Sequence, residues 1–374
     1  MKILKFLSRV SLFLLLPAFN CPDSSSYHHP DNSTGTIKIG LLVPDSKSVA
    51  PVRGAGMAVD RANESGGLNG RQFQMVVRTM EGPWGTGSKQ AVDLIFNEKV
   101  WALLGSHDGR NAHLVEQAAT KSTVVFVSAW SGDPTLSQAF VPWFFNCVPN
   151  DLQQAAAITG AIFTDRKFAR LAVIHGNDYD SKMSLDNFLR SLNQLGKPAP
   201  VQFRFDDYHD RLNILVDELL QHDPQCIIIL CPPLSSLELA KKLRQRKIGR
   251  PVFGSLTILN EDLLSPDNFQ YFNDFLSVPS DDRAGTGIHD FRRVFQKTYG
   301  EEPGMVASYS FDGMNVLIEA IRRAGSPDRE KIQKSLENIK HHGVTGVIEF
   351  DDKGNRRGNL KIMGTKNGVP VNWK

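Results

Sequence analysis

The sequence predicts an α/β protein built from two lobes with parallel sheets. Short apolar runs alternate with amphipathic segments of helical period from residue 36 onward, and the series restarts near residue 151. Unbroken apolar runs are typical of parallel strands covered on both faces, and the amphipathic helices between them supply that cover. A repeated series of this kind indicates two α/β lobes of related design.

The first series covers residues 36–149. Its predicted strands are 37–43, 73–78, 100–104 and 124–127, and its predicted helices are 54–64, 88–97 and 112–120. The first helix ends in a glycine-rich turn at 65–70, because glycine readily takes the left-handed conformation that follows a helix.

The second series begins with a predicted helix at 151–164. Its predicted strands are 171–174, 201–205, 226–230 and 252–253, and the later helices are 181–195, 212–221 and 236–246. Ligands of open α/β sheets bind beyond the carboxyl ends of the strands. Two facing lobes place these ends across a cleft, which predicts a ligand site between the lobes.

Composition and charge are those of a soluble folded protein. Hydrophobic residues make up 41% and charged residues 22% of the 374 residues, and the formal net charge is +3. That excess comes from Lys2, Lys5 and Arg9, so the rest of the chain is close to neutral. A nucleic-acid partner is therefore not expected, because such a partner requires a basic face.

The start of the chain resembles a secretory signal. Residues 1–20 combine a basic start, a short apolar stretch and Pro17-Ala18, which is typical of a signal peptide. The apolar stretch is too short to span a membrane. Residues 21–35 are polar and turn-rich and predict a flexible linker. We expect a periplasmic or extracytoplasmic protein. Cys21 has two interpretations: it is the first residue of the mature protein and carries a lipid anchor, or it is not modified and the signal peptide is cleaved nearby in the ordinary way.

The sequence offers little for catalysis. No G-x-S-x-G, H-E-x-x-H or P-loop motif occurs, and no Cys/His spacing resembles a metal site, so we expect no enzyme activity, no cofactor and no metal. His107 and Asp108 follow the third predicted strand, where a site residue belongs. A hydrolase would also need an aligned nucleophile, and Ser106 is only a sequence neighbour. A secreted hydrolase is therefore a minor alternative.

Several segments together resemble one family. Gly54-x-x-Met57-Ala58-x-x-x-Ala62-Asn63-x-x-Gly66-Gly67-Leu68-Asn69-Gly70 is similar to the first helix and turn of type 1 periplasmic binding proteins. The subgroup is that of the leucine/isoleucine/valine-binding proteins of ABC transporters. Further matches follow in order at 103–106, 127–136, 178–179, 311–317 and 346–358. The resemblance covers residues 36–370.

The resemblance implies two Rossmann-like lobes joined by a three-segment hinge. Residues 36–149 and 279–357 would form lobe 1, and residues 150–278 and 358–374 would form lobe 2. The crossings would lie near 147–151, 276–281 and 357–361. A solute touches both lobes only in the closed form and therefore stabilises closure.

The same resemblance implies partners for the closed form. It would be recognised by an ABC permease in the inner membrane. In an alternative, the bound solute would be presented to a membrane receptor or kinase. A monomer is expected.

The resemblance also shows where the chain departs from the amino-acid binders. In those proteins, hydroxyls of two first-lobe loops hold the ligand carboxylate and a second-lobe carboxylate holds the ammonium. Here Gly109 and Gly132 take the positions of the hydroxyls, and Leu256 lies at or beside the acidic position. A zwitterion needs such charge-assisted bonds. We therefore expect a solute other than a plain α-amino acid, such as a planar or aromatic compound, an amide or a carboxylate.

The ligand-contact candidates follow from these loops. They are His107, Asp108, Arg110, Ser128, Ala129, Trp130, Ser131, Tyr179, Leu256 and Trp84. Trp130 and Tyr179 could enclose a planar ligand, although Trp130 could instead plug the cleft and Tyr179 could brace the hinge. Arg110 could pair a carboxylate, cap a helix or face solvent. A descendant that binds no solute is a further alternative.

Overall fold

The computed structural model describes residues 35–138, 141–205, 209–278, 287–358 and 360–373. The predicted signal peptide, Cys21, nearly all of the predicted linker and positions 279–281 of the second predicted crossing lie outside these residues. In the described ranges, no helix is both long and apolar enough to cross a membrane.

The strands and helices follow the predicted alternation. The strands are β1 (Ile37–Val43), β2 (Phe73–Thr79), β3 (Ala102–Gly105), β4 (Phe126–Ser128), β5 (Phe144–Asn146), β6 (Leu171–His175), β7 (Val201–Arg204), β8 (Cys226–Leu230), β9 (Val252–Gly254), β10 (Leu276–Ser277), β11 (His341–Gly343), β12 (Gly346–Ile348), β13 (Met363–Lys366) and β14 (Val369–Asn372). The helices are α1 (Val49–Glu64), α2 (Thr86–Phe96), α3 (Gly109–Lys121), α4 (Thr135–Gln138), α5 (Asp151–Gly160), α6 (Tyr179–Gln194), α7 (His209–Gln221), α8 (Pro233–Gln245), α9 (Ile288–Tyr299), α10 (Met305–Ala324) and α11 (Arg329–Glu337).

The first lobe is built on a five-stranded parallel sheet in the order β2-β1-β3-β4-β5. Helices cover both faces, so β3 is fully buried and β1 is buried at every position except Lys38, as their apolar runs predict. The helices α1 and α10 pack along each other on one face. Gly54 permits this approach, because a Cβ atom at this position would overlap the carbonyl oxygen of Ala307 in α10. The glycine of the family motif thus has a packing role.

The second lobe is built on a seven-stranded sheet in the order β14-β13-β10-β9-β8-β6-β7. The strands β6 to β10 are parallel, but β13 and β14 are antiparallel, so this sheet is mixed rather than purely parallel as predicted. The antiparallel pairing of β13 with β14 follows from the two-residue turn Asn367-Gly368 between them. Both residues have positive φ angles (49° and 74°), the geometry of a tight hairpin.

Two helix boundaries differ from the prediction by four residues or more. The first helix begins at Val49 rather than at residue 54, because Pro51 falls in the first turn, where a missing N–H costs no intrahelical bond. The helix predicted over 151–164 ends as an α-helix at Gly160 and continues as a π-helical turn over Ala161–Asp165.

The segments predicted as the first and third connections between the lobes lie side by side. Asn146 at the end of β5 forms a parallel bridge with Asn355, and the Asn150 amide donates to the Asn355 side-chain oxygen at 2.9 Å. The Arg356 guanidinium donates to the carbonyl oxygen of Cys147 at 2.7 Å. The first and third connections therefore form one cross-bonded unit. The lobe boundaries given above remain a prediction.

Candidate functional site

A cavity of about 500 Å³ lies between the two lobes, at the carboxyl ends of their strands. Its first-lobe wall contains Pro44, Asp45, Ser48, Ser106, His107, Asp108, Arg110, Trp130 and Val306. Its second-lobe wall contains Asp178, Tyr179, Asp180, Ser181, Ser184, Leu230, Cys231, Pro232, Pro233, Ser255, Thr257, Asn260, Asp262 and Leu263. The volume suits a small organic solute.

Five of the predicted contact residues line this cavity: His107, Asp108, Arg110, Trp130 and Tyr179. The half-buried Trp130 ring meets Tyr309 edge-on, with the ring centroids 6.3 Å apart. The Tyr179 hydroxyl donates to Asp133 of the first lobe at 2.9 Å. Tyr179 therefore both lines the cavity and joins the lobes.

Ser128, Ala129 and Ser131 do not line the cavity, although they were predicted to contact ligand. All three are buried. The Ser128 hydroxyl accepts from the Ser131 N–H at 3.2 Å, and the Ser131 hydroxyl accepts from the Asp133 N–H at 3.3 Å. These hydroxyls hold the loop after β4 in shape, so that Trp130 is the side chain of the run 128–131 that reaches the cavity.

Leu256 and Trp84 also lie outside the cavity wall. Leu256 is buried, and its N–H donates to the Gln154 side chain at 3.0 Å, while its neighbours Ser255 and Thr257 line the cavity instead. Trp84 is 65% exposed, and the Arg110 guanidinium lies 4.0 Å from the centroid of its ring. Trp84 thus holds Arg110 at the rim through a cation–π contact.

His107 and Asp108 do not form a catalytic relay. The Asp108 carboxylate caps helix α3 by accepting from the N–H and the side-chain amide of Asn111, at 2.9 and 2.7 Å. The buried His107 ring stacks on Phe126, and within the described residues its one hydrogen-bond contact is the Asp108 carbonyl oxygen at 3.3 Å. Burial lowers the pKa of His107. The arrangement is that of a helix cap beside a neutral histidine.

Second-lobe carboxyl groups lie against Gly109 and Gly132, the two glycines that the resemblance predicts at the hydroxyl positions. The Gly109 N–H donates to the two oxygens of Asp180, at 3.1 and 3.3 Å. A Cβ atom on Gly132 would lie 2.6 Å from an oxygen of Asp151, whose N–H donates to the Gly132 carbonyl at 2.7 Å. The absence of a side chain at Gly109 and Gly132 leaves space that Asp180 and Asp151 occupy.

Two further second-lobe acids reach first-lobe helices. The Glu261 carboxylate accepts from the N–H groups of Val306 and Ala307 at the start of α10, at 2.9 and 2.7 Å. The Asp262 carboxylate accepts from the Ala50 N–H at the start of α1, at 2.8 Å. Helix N-termini present unpaired N–H groups and a positive partial charge, so these bonds stabilise contact between the lobes.

Burial dominates the ionisation of these acids. It raises the pKa of Asp180 and of Glu261 to about 7, and that of Asp151 to about 8. A carboxyl group whose pKa is higher in the folded than in the unfolded protein stabilises the fold most when it is protonated. Their contribution therefore decreases as the pH rises through these values.

Sequence reasoning missed Asp45, Asp180, Asp262 and Glu261. A signal existed for the first two, since Asp45 lies two residues after β1 and Asp180 directly follows the predicted contact Tyr179. No periodic pattern marks 260–262, so no local signal could have identified the two later acids.

His113 on helix α3 makes the stability of the first lobe depend on pH. Its ring donates to Asp133 at 3.0 Å, and hydrogen bonds to Asp133 and Glu116 raise the pKa of His113 to about 9. A raised histidine pKa gives stability that is complete below about pH 6.5 and is lost as the pH rises through 9. We expect the Tm advantage of the wild type over His113→Gln to shrink between pH 6.5 and 9.5. The exposed His289 provides the control; a constant difference for His113→Gln, like that for His289→Gln, would contradict this.

Known proteins are similar to this chain over most of its length. The sequence profile of a family described as periplasmic binding protein matches residues 36–363. The Leu/Ile/Val-binding protein homolog 1 of Brucella abortus is 22% identical over 85% of this chain and 86% of its own length.

Two solved structures are similar in fold. LivJ of Streptococcus pneumoniae, a branched-chain amino acid transporter substrate-binding protein in complex with isoleucine, has a TM-score of 0.77 at 19% identity, covering 90% of this chain and 97% of LivJ. A solute-binding protein of an ABC transporter from R. palustris, in complex with benzoate, has a TM-score of 0.76 at 17% identity, covering 90% and 95%.

Proposed function

Because the chain belongs to the periplasmic binding protein family, within its leucine/isoleucine/valine-binding-protein-like subgroup, we propose that it captures a small solute between its lobes and delivers it to an ABC importer. The observation that carries the proposal is the cavity of about 500 Å³ whose wall comes from both lobes. A solute held there contacts both lobes at once, so it favours the closed form that a permease would recognise.

The proposed solute is not a plain α-amino acid. LivJ binds isoleucine, but here the N–H of Gly109 is already bonded to Asp180, and Asp151 fills the space beside Gly132. A ligand carboxylate at either place would meet a carboxyl group of the protein that already takes the Gly109 N–H or fills the space beside Gly132. This argument supports a solute without the zwitterionic head group.

The family is extracytoplasmic, and we propose that the signal peptide at 1–20 delivers this chain across the inner membrane. Lipidation of Cys21 would then hold the protein at the membrane surface through the linker. Mass spectrometry of the secreted protein distinguishes a diacylglyceryl Cys21 from ordinary cleavage.

The aromatic wall gives a first prediction on binding. Trp130→Ala and Tyr179→Ala should each raise the dissociation constant for the solute by about tenfold or more, because each removes a ring from the cavity wall. Calorimetric titration measures the effect, and a circular dichroism spectrum checks the fold. Phe96→Ala is the matched control, since that ring is exposed at the end of α2 and lies outside the cavity wall. Unchanged affinity in both wall variants would rule out this cavity as the binding site.

A thermal-shift screen of the mature protein tests the function itself. A solute at 100 times its dissociation constant should stabilise the protein by about 2.7 kcal/mol, or several degrees of Tm. The panel contains amino acids, amides, aromatic acids, amines and polyols. A shift with a solute other than leucine or valine supports the proposal. A clear shift with leucine or valine overturns the assignment of Gly109 and Gly132.

A further inference from the structure

We infer that the cavity selects a small organic cation, an amine, a guanidine or a quaternary ammonium compound with an apolar body. This inference rests on the proposed function and names its class of solute. It differs from the planar amide or carboxylate suggested by sequence, because the sequence did not reveal that Asp45, Asp180 and Asp262 line one cavity.

The charge of the wall is strongly acidic. Its carboxylates are those of Asp45, Asp108, Asp178, Asp180 and Asp262. Among the wall residues, Arg110 is the permanently charged cation, and its guanidinium is engaged by the ring of Trp84 at 4.0 Å. Burial holds His107 neutral by lowering its pKa. A cation entering this cavity gains electrostatic energy, whereas an anion is repelled.

Asp180 is the acid whose charge is least compensated. Asp108 and Asp178 each cap their own helix, accepting N–H bonds at 2.9 and 3.0 Å. Asp180 accepts from the Gly109 N–H alone within the described part of the chain, and both contacts are long, at 3.1 and 3.3 Å. A partly buried carboxylate with one weak donor has lone pairs left for a ligand ammonium.

A second, independent feature marks the cavity as built for a polar ligand. The Ser106 side chain is 3% exposed and lines the wall, and its hydroxyl has no hydrogen-bond partner among the described residues. Buried hydroxyls are nearly always bonded, so an unbonded one at a cavity wall is available to a polar atom of a ligand. Together with the rings of Trp130 and Tyr179, which attract cations to their faces, the wall offers an acid, a hydroxyl and two aromatic surfaces.

The experiment compares solutes of equal shape and different charge. The matched sets are benzylamine, benzyl alcohol and benzoate; choline and 3,3-dimethylbutan-1-ol; and phenylguanidine and phenylurea, with leucine and valine as family references. Dissociation constants are measured by calorimetric titration of the mature protein at pH 8.

We expect at least one cation to bind about tenfold or more tightly than its neutral isostere, with no binding of benzoate. A neutral or anionic member that binds as well as its cation overturns the inference while leaving solute capture intact. No binding by any member overturns both.

The variants Asp180→Asn and Asp186→Asn locate the effect. Both residues lie on α6, but Asp186 is exposed and outside the cavity wall. Asp180→Asn should weaken binding of the best cation by about tenfold and leave binding of its neutral isostere unchanged. Equal losses for both solutes would mean a structural role for Asp180, and an equal effect of Asp186→Asn would mean a general effect of charge. Either result overturns the assignment.

The pH dependence gives an independent readout. Burial and the nearby charge of Asp108 raise the pKa of Asp180 to about 7, and Asp133 and Asp178 add to this. The other ionisable groups on the elements packed against α6 are Arg110, His113, Glu116 and Lys121 of α3, the buried Asp151 of α5, His175 of β6 and Cys226 of β8. Protonation of Asp180 competes with a bound cation, so affinity should increase from pH 5.5 to 8. Asp180→Asn should flatten this profile, and a profile that stays steep in the variant contradicts the role of Asp180.

Discussion

Replacing Arg356 by methionine is expected to lower the free energy of unfolding by about 3–5 kcal/mol. The Arg356 side chain is 3% exposed and joins three separate carbonyl groups. It donates to Cys147 at 2.7 Å, to Thr345 at 2.8 Å and to Val347 at 3.0 Å. Methionine fills similar volume but leaves these buried acceptors without donors, and each unpaired buried group is costly.

The neighbouring Arg357 provides the matched control for this experiment. Its side chain is exposed, so Arg357→Met should change stability by no more than about 0.5 kcal/mol. Urea unfolding followed by circular dichroism measures both variants. If Arg356→Met falls within 1 kcal/mol of Arg357→Met, the cross-bonded connections do not depend on this guanidinium.

The second large effect is expected at Gly54, where Gly54→Ala should destabilise the first lobe by about 1–3 kcal/mol. Alanine normally stabilises a helix relative to glycine, so the expected sign is opposite to that of helix propensity. The reason is the close approach of α1 and α10, in which the new methyl group would overlap the Ala307 carbonyl. Because that neighbour is backbone, it cannot move away without separating the helices.

Gly56, two residues along the same helix, isolates the packing effect. A Cβ atom there would meet only the end of the Met75 side chain, at 3.9 Å. Gly56→Ala should therefore stabilise the protein by about 0.5–1 kcal/mol, through helix propensity and a stiffer unfolded chain. Thermal unfolding of the two variants side by side gives the answer, and two shifts of the same sign would refute the packing argument.

Much of the fold was predictable because it is encoded in local periodicity. Buried parallel strands such as β1 and β8 are continuous apolar runs, and the amphipathic helices between them have a clear period. The terminal pair β13 and β14 was not predicted as strands. These strands are only four residues long, and their place at the edge of the second sheet depends on the pairing of β13 with β10, far away in sequence.

The site was predictable only where it lies at strand ends. His107, Trp130 and Tyr179 follow β3, β4 and β6 closely, so the strand pattern located them. Ser128 ends β4, and Ser131 lies in the loop that follows it, next to Trp130. Hydrogen bonds turn both serine side chains inward, and the sequence alone does not show in which direction these side chains point. Glu261 and Asp262 lie in an irregular segment and reach helices of the other lobe, so their role depends on tertiary contacts alone.

The acids on the helix ends of the first lobe also set a limit on rates. Asp180, Glu261 and Asp262 bridge the lobes at α3, α10 and α1, so separation of the lobes must break every one of these bonds and rehydrate both partners. Under the proposed function, we expect solute to enter the cavity after that separation. The observed association rate should therefore reach a plateau at high solute concentration, and the plateau equals the rate constant of opening rather than the rate of diffusional encounter.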